Sequence, residues 1–334
     1  MSHSIYPLKF DPIYQYRLWG GRKLADLLST PLPENEPIGE AWILSDRKDH
    51  ANEVSEGPLQ GTTLTELMKD FKYEIMGKMG DWFDQFPLLL KFLDCKEVLS
   101  VQVHPSDNQK EYIPKGDSGK TEAWVVLETS NDSRIYAGLK KGTTKENLLD
   151  SIENNSVSDC LHSFVPKKDD ALFIHSGTVH TLGGTVVFEV QENSDVTFRL
   201  YDWDRTDPKT GEPRELQVEE AIDCIDYNQV DIEPVIPVKS PDFNNSEKLF
   251  DDEHFKLWRI KTQSEMTVGF KDEPAILVCT DGKGSVNYNG KEYLIDKGEV
   301  MLIPAIIGQL SLHPKQEMTL LQIAIPDKKL NYSL

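Results

Sequence analysis

A chain of 334 residues is too long for one typical hydrophobic core, so two domains are the expectation. Its apolar share of 38% and charged share of 28% are those of an ordinary globular protein. A formal net charge of −20 argues against general nucleic-acid binding and against adsorption to anionic lipid, since both require a basic face.

The first five residues, Met1-Ser2-His3-Ser4-Ile5, hold no charged leader followed by an apolar block. Thr63-Leu64-Thr65-Glu66 carries a capping-box pattern and predicts a helix through Leu67, Met68 and Phe71. The most apolar stretch, residues 86–93, is far too short to span a membrane and contains Lys91. Strand alternation in Leu99-Ser100-Val101-Gln102-Val103-His104-Pro105 places Ser100, Gln102 and His104 on one face. Residues 123–127 read as a strand, and Thr143-Thr144-Lys145-Glu146 as a second capped helix start. Residues 186–191 and 196–201 are two further strands, and residues 215–225 form a third amphipathic helix candidate. Residues 231–242, with Pro234, Pro237 and Pro241, are the best linker candidate.

Beyond the linker come strand candidates at 275–279, 285–288, 291–295, 300–304 and 318–325, with Asn289-Gly290 as a strong hairpin turn. Strands this short, at this turn spacing, predict a sandwich or barrel. Cys95, Cys160, Cys224 and Cys279 are widely spaced without a CxxC pair, which predicts reduced thiols and a cytoplasmic location.

Three polar side chains on one face of an otherwise apolar strand require either a polar lining or a wet outer face. Glu122 lies in Gly119-Lys120-Thr121-Glu122-Ala123-Trp124, and His180 ends His175-Ser176-Gly177-Thr178-Val179-His180. With Gln102 and His104 they would supply one amide oxygen, two imidazoles and a carboxylate. Such a mixed set suits zinc and leaves a position for substrate or water. Closed structural zinc sites favour thiolates, and no cysteine lies in these segments. His50, His162, His254 and His313 read as structural histidines.

The run from Val101 to Asp107, followed by Lys120-Thr121-Glu122, resembles the type I mannose-6-phosphate isomerases (phosphomannose isomerases) in their shorter bacterial form. The likeness extends to Leu18-Trp19-Gly20-Gly21-Arg22, Gly39-Glu40-Ala41-Trp42, Pro87-Leu88-Leu89-Leu90-Lys91, Gly177-Thr178-Val179-His180 and Phe188-Glu189-Val190-Gln191. It implies a mainly β chain of two cupin-type jelly-roll barrels with small helical insertions. Residues 1–235 would be the catalytic cupin and 236–334 a degenerate one. It implies one zinc ion on Gln102, His104, Glu122 and His180, with a sugar phosphate as the small-molecule partner. Arg199 matches the family's active-site arginine and Glu189 a nearby carboxylate, while Lys91, Lys120 and Ser100 match residues lining the substrate pocket. Two positions depart from the pattern. Arg205 stands where better-known eukaryotic members have a lysine; it keeps the positive charge and can offer phosphate a forked contact. His175 stands where cupins often have proline, and reads as a surface or supporting histidine.

The implied reaction interconverts mannose 6-phosphate and fructose 6-phosphate through an enediol(ate). Glu189 is the first candidate for the base and Lys120 the second, with Arg199 on the phosphate or on the developing negative charge. Three alternatives stay open: a metal-dependent isomerase of another or unphosphorylated sugar, a non-catalytic sugar-binding cupin, and an iron-dependent dioxygenase. The sequence leaves the oligomeric state open.

Overall fold

A computed structural model describes residues 5–241 and 245–326. The N-terminal reading of residues 1–4, and Asp242 of the linker candidate, lie outside this range. Two β assemblies account for most of the chain. The first is a nine-stranded sheet. Its main path runs Ala171–Ile174, Glu122–Leu139, His180–Glu192, Leu88–Cys95, Ile38–Leu44, Ile13–Gly21, every neighbour antiparallel. Val101–Val103 joins it at His180 and pairs on its other side with Phe198–Tyr201, so the sheet curls back on itself.

The Leu88–Cys95 strand is buried along its whole length, which explains a sequence that is apolar on both faces. Phe92 and Phe188 meet edge to face, with centroids 5.8 Å apart on the outer side of this layer. Lys91 and Glu189, one residue away on each strand, therefore point to the opposite, inner side.

The second assembly pairs two sheets. A seven-stranded sheet has its centre in Val300–Ile303, Ala275–Asp281, Met318–Ala324 and Lys256–Thr262. A four-stranded sheet runs Met266–Val268, Leu310–Pro314, Lys283–Tyr288, Lys291–Asp296. The Asn289-Gly290 turn falls between the last two of these strands, with both residues at positive φ as a tight hairpin requires. The N-terminal strand Leu8–Lys9 pairs with Leu302 and Met301 of the seven-stranded sheet, so the start of the chain is built into its far end. Phe173 of the first assembly packs on Phe250 and Phe255 of the second, and one continuous apolar core crosses between them. Residues 232–237 form no helix or strand and hydrogen-bond back along the first sheet, Ile232 N to Ala137 O and Val235 N to Ala171 O.

Helices are few and short. Thr63 caps Leu64–Asp70 in a capping box with Glu66, as its sequence predicts. The second box is displaced by one residue: Thr144, not Thr143, caps Lys145–Glu153 and pairs with Asn147. The third helix is confined to Val218–Cys224, because Gln217 N is held by Arg199 O and the backbone at Ile225 is extended. No helix among the described residues is long and apolar enough to cross a membrane.

Candidate metal centre and substrate cavity

Sheet register assembles the site in two rows. Trp42 lies opposite Lys91, Lys91 opposite Glu189, and Glu189 opposite Trp124, so four strands deliver one continuous line of side chains. Lys91 Nζ sits 3.2 Å from Glu189 Oε1 and 5.3 Å from the centre of the Trp42 ring. Trp124 Nε1 donates to Glu189 Oε2 at 2.9 Å. The second row is His180, Gln102 and Arg199, each opposite the next. His104 follows Val103 at the end of the middle strand, and Glu122 begins the strand beside His180.

His104, Glu122 and His180 each present a donor atom within 4.8 Å of the others, and all three are buried. His104 Nε2 is 3.5 Å from Glu122 Oε2, and His180 Nε2 is 3.3 Å from Glu122 Oε1. The other ring nitrogens are anchored: His104 Nδ1 donates to Val196 O at 2.8 Å and His180 Nδ1 to Thr178 O at 2.9 Å. Carbonyls can only accept, so both rings carry hydrogen on Nδ1 and turn a bare Nε2 to the centre. His104 Nε2, His180 Nε2 and both Glu122 oxygens have no hydrogen-bond partner. Lys120 Nζ approaches Glu122 Oε2 to 2.9 Å as a charge contact. A buried polar atom left unpaired costs about 1–3 kcal/mol, more if charged, so four clustered atoms fit a cation-binding role.

The tight turn before His180 depends on Gly177, whose φ of +83° favours glycine. Its N–H donates to His104 O at 2.8 Å, tying the two histidine segments together. A Cβ there would stand 3.0 Å from Asp226 N.

Electrostatics follow from burial and neighbours. Burial pushes the His104 imidazole down to about 3, and Lys120 adds to this against the pull of Glu122. The His180 imidazole is lowered chiefly by burial. Burial would raise Glu122, but Lys120 and the histidines hold its carboxyl well below the usual range. Glu189 is raised, first by burial and then by the Glu122 charge, despite Lys91 and Lys120. For Lys120, burial favours the neutral amine, but Glu122 and Glu189 outweigh it and keep the ammonium charged above its ordinary range.

The cluster borders a cavity of about 500 Å³. Ser100, Gln102, Lys91, Lys120, Glu189 and Arg199 all line it. The lining holds five basic side chains against four acidic ones, in a chain whose net charge is −20. With Glu122 and Asp202, the partners of Lys120 and Arg214, counted as well, the groups about the cavity come close to charge balance, far less acidic than the chain as a whole. Arg17 is taken up by Glu40, Lys91 by Glu189, Lys120 by Glu122 and Arg214 by Asp202. Among the described residues, Arg199 is the cavity cation without an ion-pair partner, and its buried Nε has no hydrogen-bond partner.

One residue, Arg205, differs from expectation, and His175 is at the surface as expected. Arg205 does not line the cavity: its guanidinium donates to Val98 O and to Asp202. Trp203 and Asp204 both take positive φ, and this turn folds Arg205 back onto Asp202. Arg214 lines the cavity instead, with Nε and Nη2 on the two oxygens of Asp202 at 2.8 and 2.6 Å. His175 is exposed against the Phe173 ring, 4.5 Å between centroids, and stands outside the metal cluster.

Sequence reasoning also missed the wall opposite. Arg17 forks onto Glu40 at 2.8 and 3.1 Å, and Trp42 Nε1 donates to the same carboxylate at 2.7 Å. Burial raises Glu40, but Arg17 and Lys91 bring it down to about 2. The signal lay in Glu40 and Trp42, two apart on one strand, both with polar atoms facing the same side.

Fold and site together define a cupin-type β protein with a buried three-residue candidate metal centre adjoining a charged cavity through Gln102 and Lys120. The profile for phosphomannose isomerase type I, catalytic domain, matches residues 8–123, and that for mannose-6-phosphate isomerase, cupin domain, matches residues 246–322. The chain is 33% identical over 310 residues to the probable mannose-6-phosphate isomerase GmuF of Bacillus subtilis (strain 168), covering 92% of this chain and 96% of that one. It is 30% identical over 314 residues to the mannose-6-phosphate isomerase of Streptococcus mutans, covering 90% of this chain and 93% of that one. The crystal structure of the mannose 6-phosphate isomerase from Bacillus subtilis superposes with a TM-score of 0.86 at 30% identity, over 96% of this chain and 99% of that one. The chain belongs to the type I phosphomannose isomerase family.

Proposed function

We propose that this protein interconverts mannose 6-phosphate and fructose 6-phosphate, with one zinc ion held by Gln102, His104, Glu122 and His180. The observation that carries the reading is the buried group of His104 Nε2, His180 Nε2 and the two Glu122 oxygens, without hydrogen-bond partners and touched only by the Lys120 ammonium, beside a cavity lined by five cations. Relatives named for that activity support it. A bound ion would supply Lewis acidity, making the proton beside the sugar carbonyl easier to remove. Gln102, opposite His180 and on the cavity wall, is the amide donor that completes the set.

Glu189 is the base that carries a proton between C1 and C2 by way of an enediol(ate). Its Oε1 has no hydrogen-bond partner, Trp124 fixes the other oxygen, and its raised pKa lets it hold a proton between the two transfers. Lys120 stays charged and donates to substrate oxygens, a role that suits an ammonium better than that of base. Arg199 anchors the phosphate, as the cation with donors to spare. Ser100 and Lys91 line the sugar's path, and Arg214 takes the place expected of Arg205.

We read residues 1–235 as the catalytic unit and 236–334 as a degenerate cupin, with the first strand lent to the second unit. The free cysteines suit a reducing compartment, and we read the location as cytoplasmic. The test is isomerase turnover of fructose 6-phosphate with and without a chelator. Activity should vanish with chelation and return with zinc; turnover indifferent to chelation removes the metal from the reaction.

A further inference from the structure

We propose that Asp107, Glu192 and His254 form a second divalent-cation site, of zinc type, where the two assemblies meet. One donor atom from each lies within 4.8 Å of the other two. Asp107 and Glu192 belong to the first assembly. His254 lies in the turn between Ser246–Asp251 and Lys256–Thr262 of the second.

The geometry repeats that of the cavity cluster in two respects. First, His254 Nδ1 donates to Asp252 Oδ1 at 2.7 Å, which fixes the ring and turns Nε2 toward Glu192, as the carbonyls orient His104 and His180 toward Glu122. Second, His254 Nε2 stands 3.6 Å from Glu192 Oε2, against 3.5 and 3.3 Å for the corresponding pairs in the cavity. That spacing is too long for a hydrogen bond, and close to the roughly 3.4 Å between two ligands placed about 2.1 Å from a tetrahedral ion. Unlike Glu122, the carboxylates here are also braced: Thr121 N donates to Glu192 Oε2 at 2.7 Å and Gly119 N to Asp107 Oδ1 at 2.8 Å. Asp107 is exposed and Glu192 buried, so an ion has both an entry route and a shielded floor. One imidazole with two carboxylates selects zinc-class ions over magnesium or calcium, which favour all-oxygen shells.

The braces run to Gly119 and Thr121, on either side of Lys120 and just before Glu122. An ion here would clamp the second assembly to the segment that carries the cavity's carboxylate ligand. It would act as a structural fastener rather than a reactant.

The experiment is zinc content per chain, by atomic absorption, after loading with excess zinc and dialysis. The intact protein should hold two ions, and His254→Gln one. In a Glu122→Ala background, where the cavity ion is lost, His254→Gln should take the content from one to none. Zinc should raise the Tm of Glu122→Ala but not of the double variant, and magnesium should raise neither. Should His254→Gln fail to fold, Asp107→Asn, on an exposed side chain, should lose the same ion. A content unchanged by either substitution overturns the proposal, and so does a Tm shift that magnesium reproduces. A purely ionic bridge between His254 and Glu192 predicts that null result.

Discussion

The two β assemblies use similar strands for opposite ends. In the second, the central strands fill their interior with Leu277, Leu320, Leu321, Ile323 and Met301, all fully or almost fully buried. Its buried Gln322 accepts Gly269 N on Oε1 at 2.8 Å, while its Nε2 has no hydrogen-bond partner. In the first, equally buried positions carry Lys91, His104, Lys120, Glu122, His180 and Glu189. Burying charge costs free energy that an apolar packing would spare. The second assembly shows that the architecture closes without such a lining. The charges in the first are thus retained for what they do rather than for the fold they sit in.

Substitutions can break or sharpen this contrast. The largest effect is expected from Glu122→Ala, which should release the cavity ion and take isomerase turnover to background; a full zinc complement with normal rates would refute the ligand assignment. Glu189→Gln keeps the shape and should lower kcat by about 10²–10⁴-fold with zinc retained, as for a lost general base. Steady-state kinetics with metal analysis check both. Arg199→Ala should also keep zinc while losing turnover, by roughly 10²–10³-fold if it meets charge that develops in the reaction. A loss confined to KM would place it on the phosphate alone, and wild-type rates would remove it from the site.

On the other side of the contrast, Leu277→Ala should destabilise by about 2–5 kcal/mol, read by denaturant unfolding, with kcat/KM per folded molecule unchanged.

The smallest effect concerns acid. Glu40 is held at about 2 in the fold, against an ordinary value near 4.3 when unfolded. The unfolded chain binds that proton first, so the Arg17–Glu40 pair stabilises above about pH 4.3 and its contribution fades as pH falls through about 2. Tm measured across that window should fall, and Glu40→Gln should flatten this limb.

The sequence disclosed the site unevenly. Gln102 and His104 were legible because strand alternation is local, and the capping box at Thr63 for the same reason. The row Trp42–Lys91–Glu189–Trp124 was not, since it exists only through the register of four strands drawn from distant parts of the chain. The placing of Arg205 away from the cavity turns on two residues at positive φ, neither of them glycine, which leave no mark in composition. Even within the resemblance, Glu40 and Trp42 were visible as a block without a role. The carboxylate partner of each cation is what shows which arginine has donors to spare.

The pairing of Leu8–Lys9 with Leu302 and Met301 also bears on how the molecule is made. Leu8–Lys9 must wait until nearly all of the chain between them and Val300–Ile303 has been made before the two strands can pair. Contacts of such sequence separation slow folding, because a long loop has to close before they are rewarded. Cutting the gene at the linker would leave the downstream product with the bare edge of Val300–Ile303, a template for intermolecular pairing unless the upstream fragment is supplied alongside.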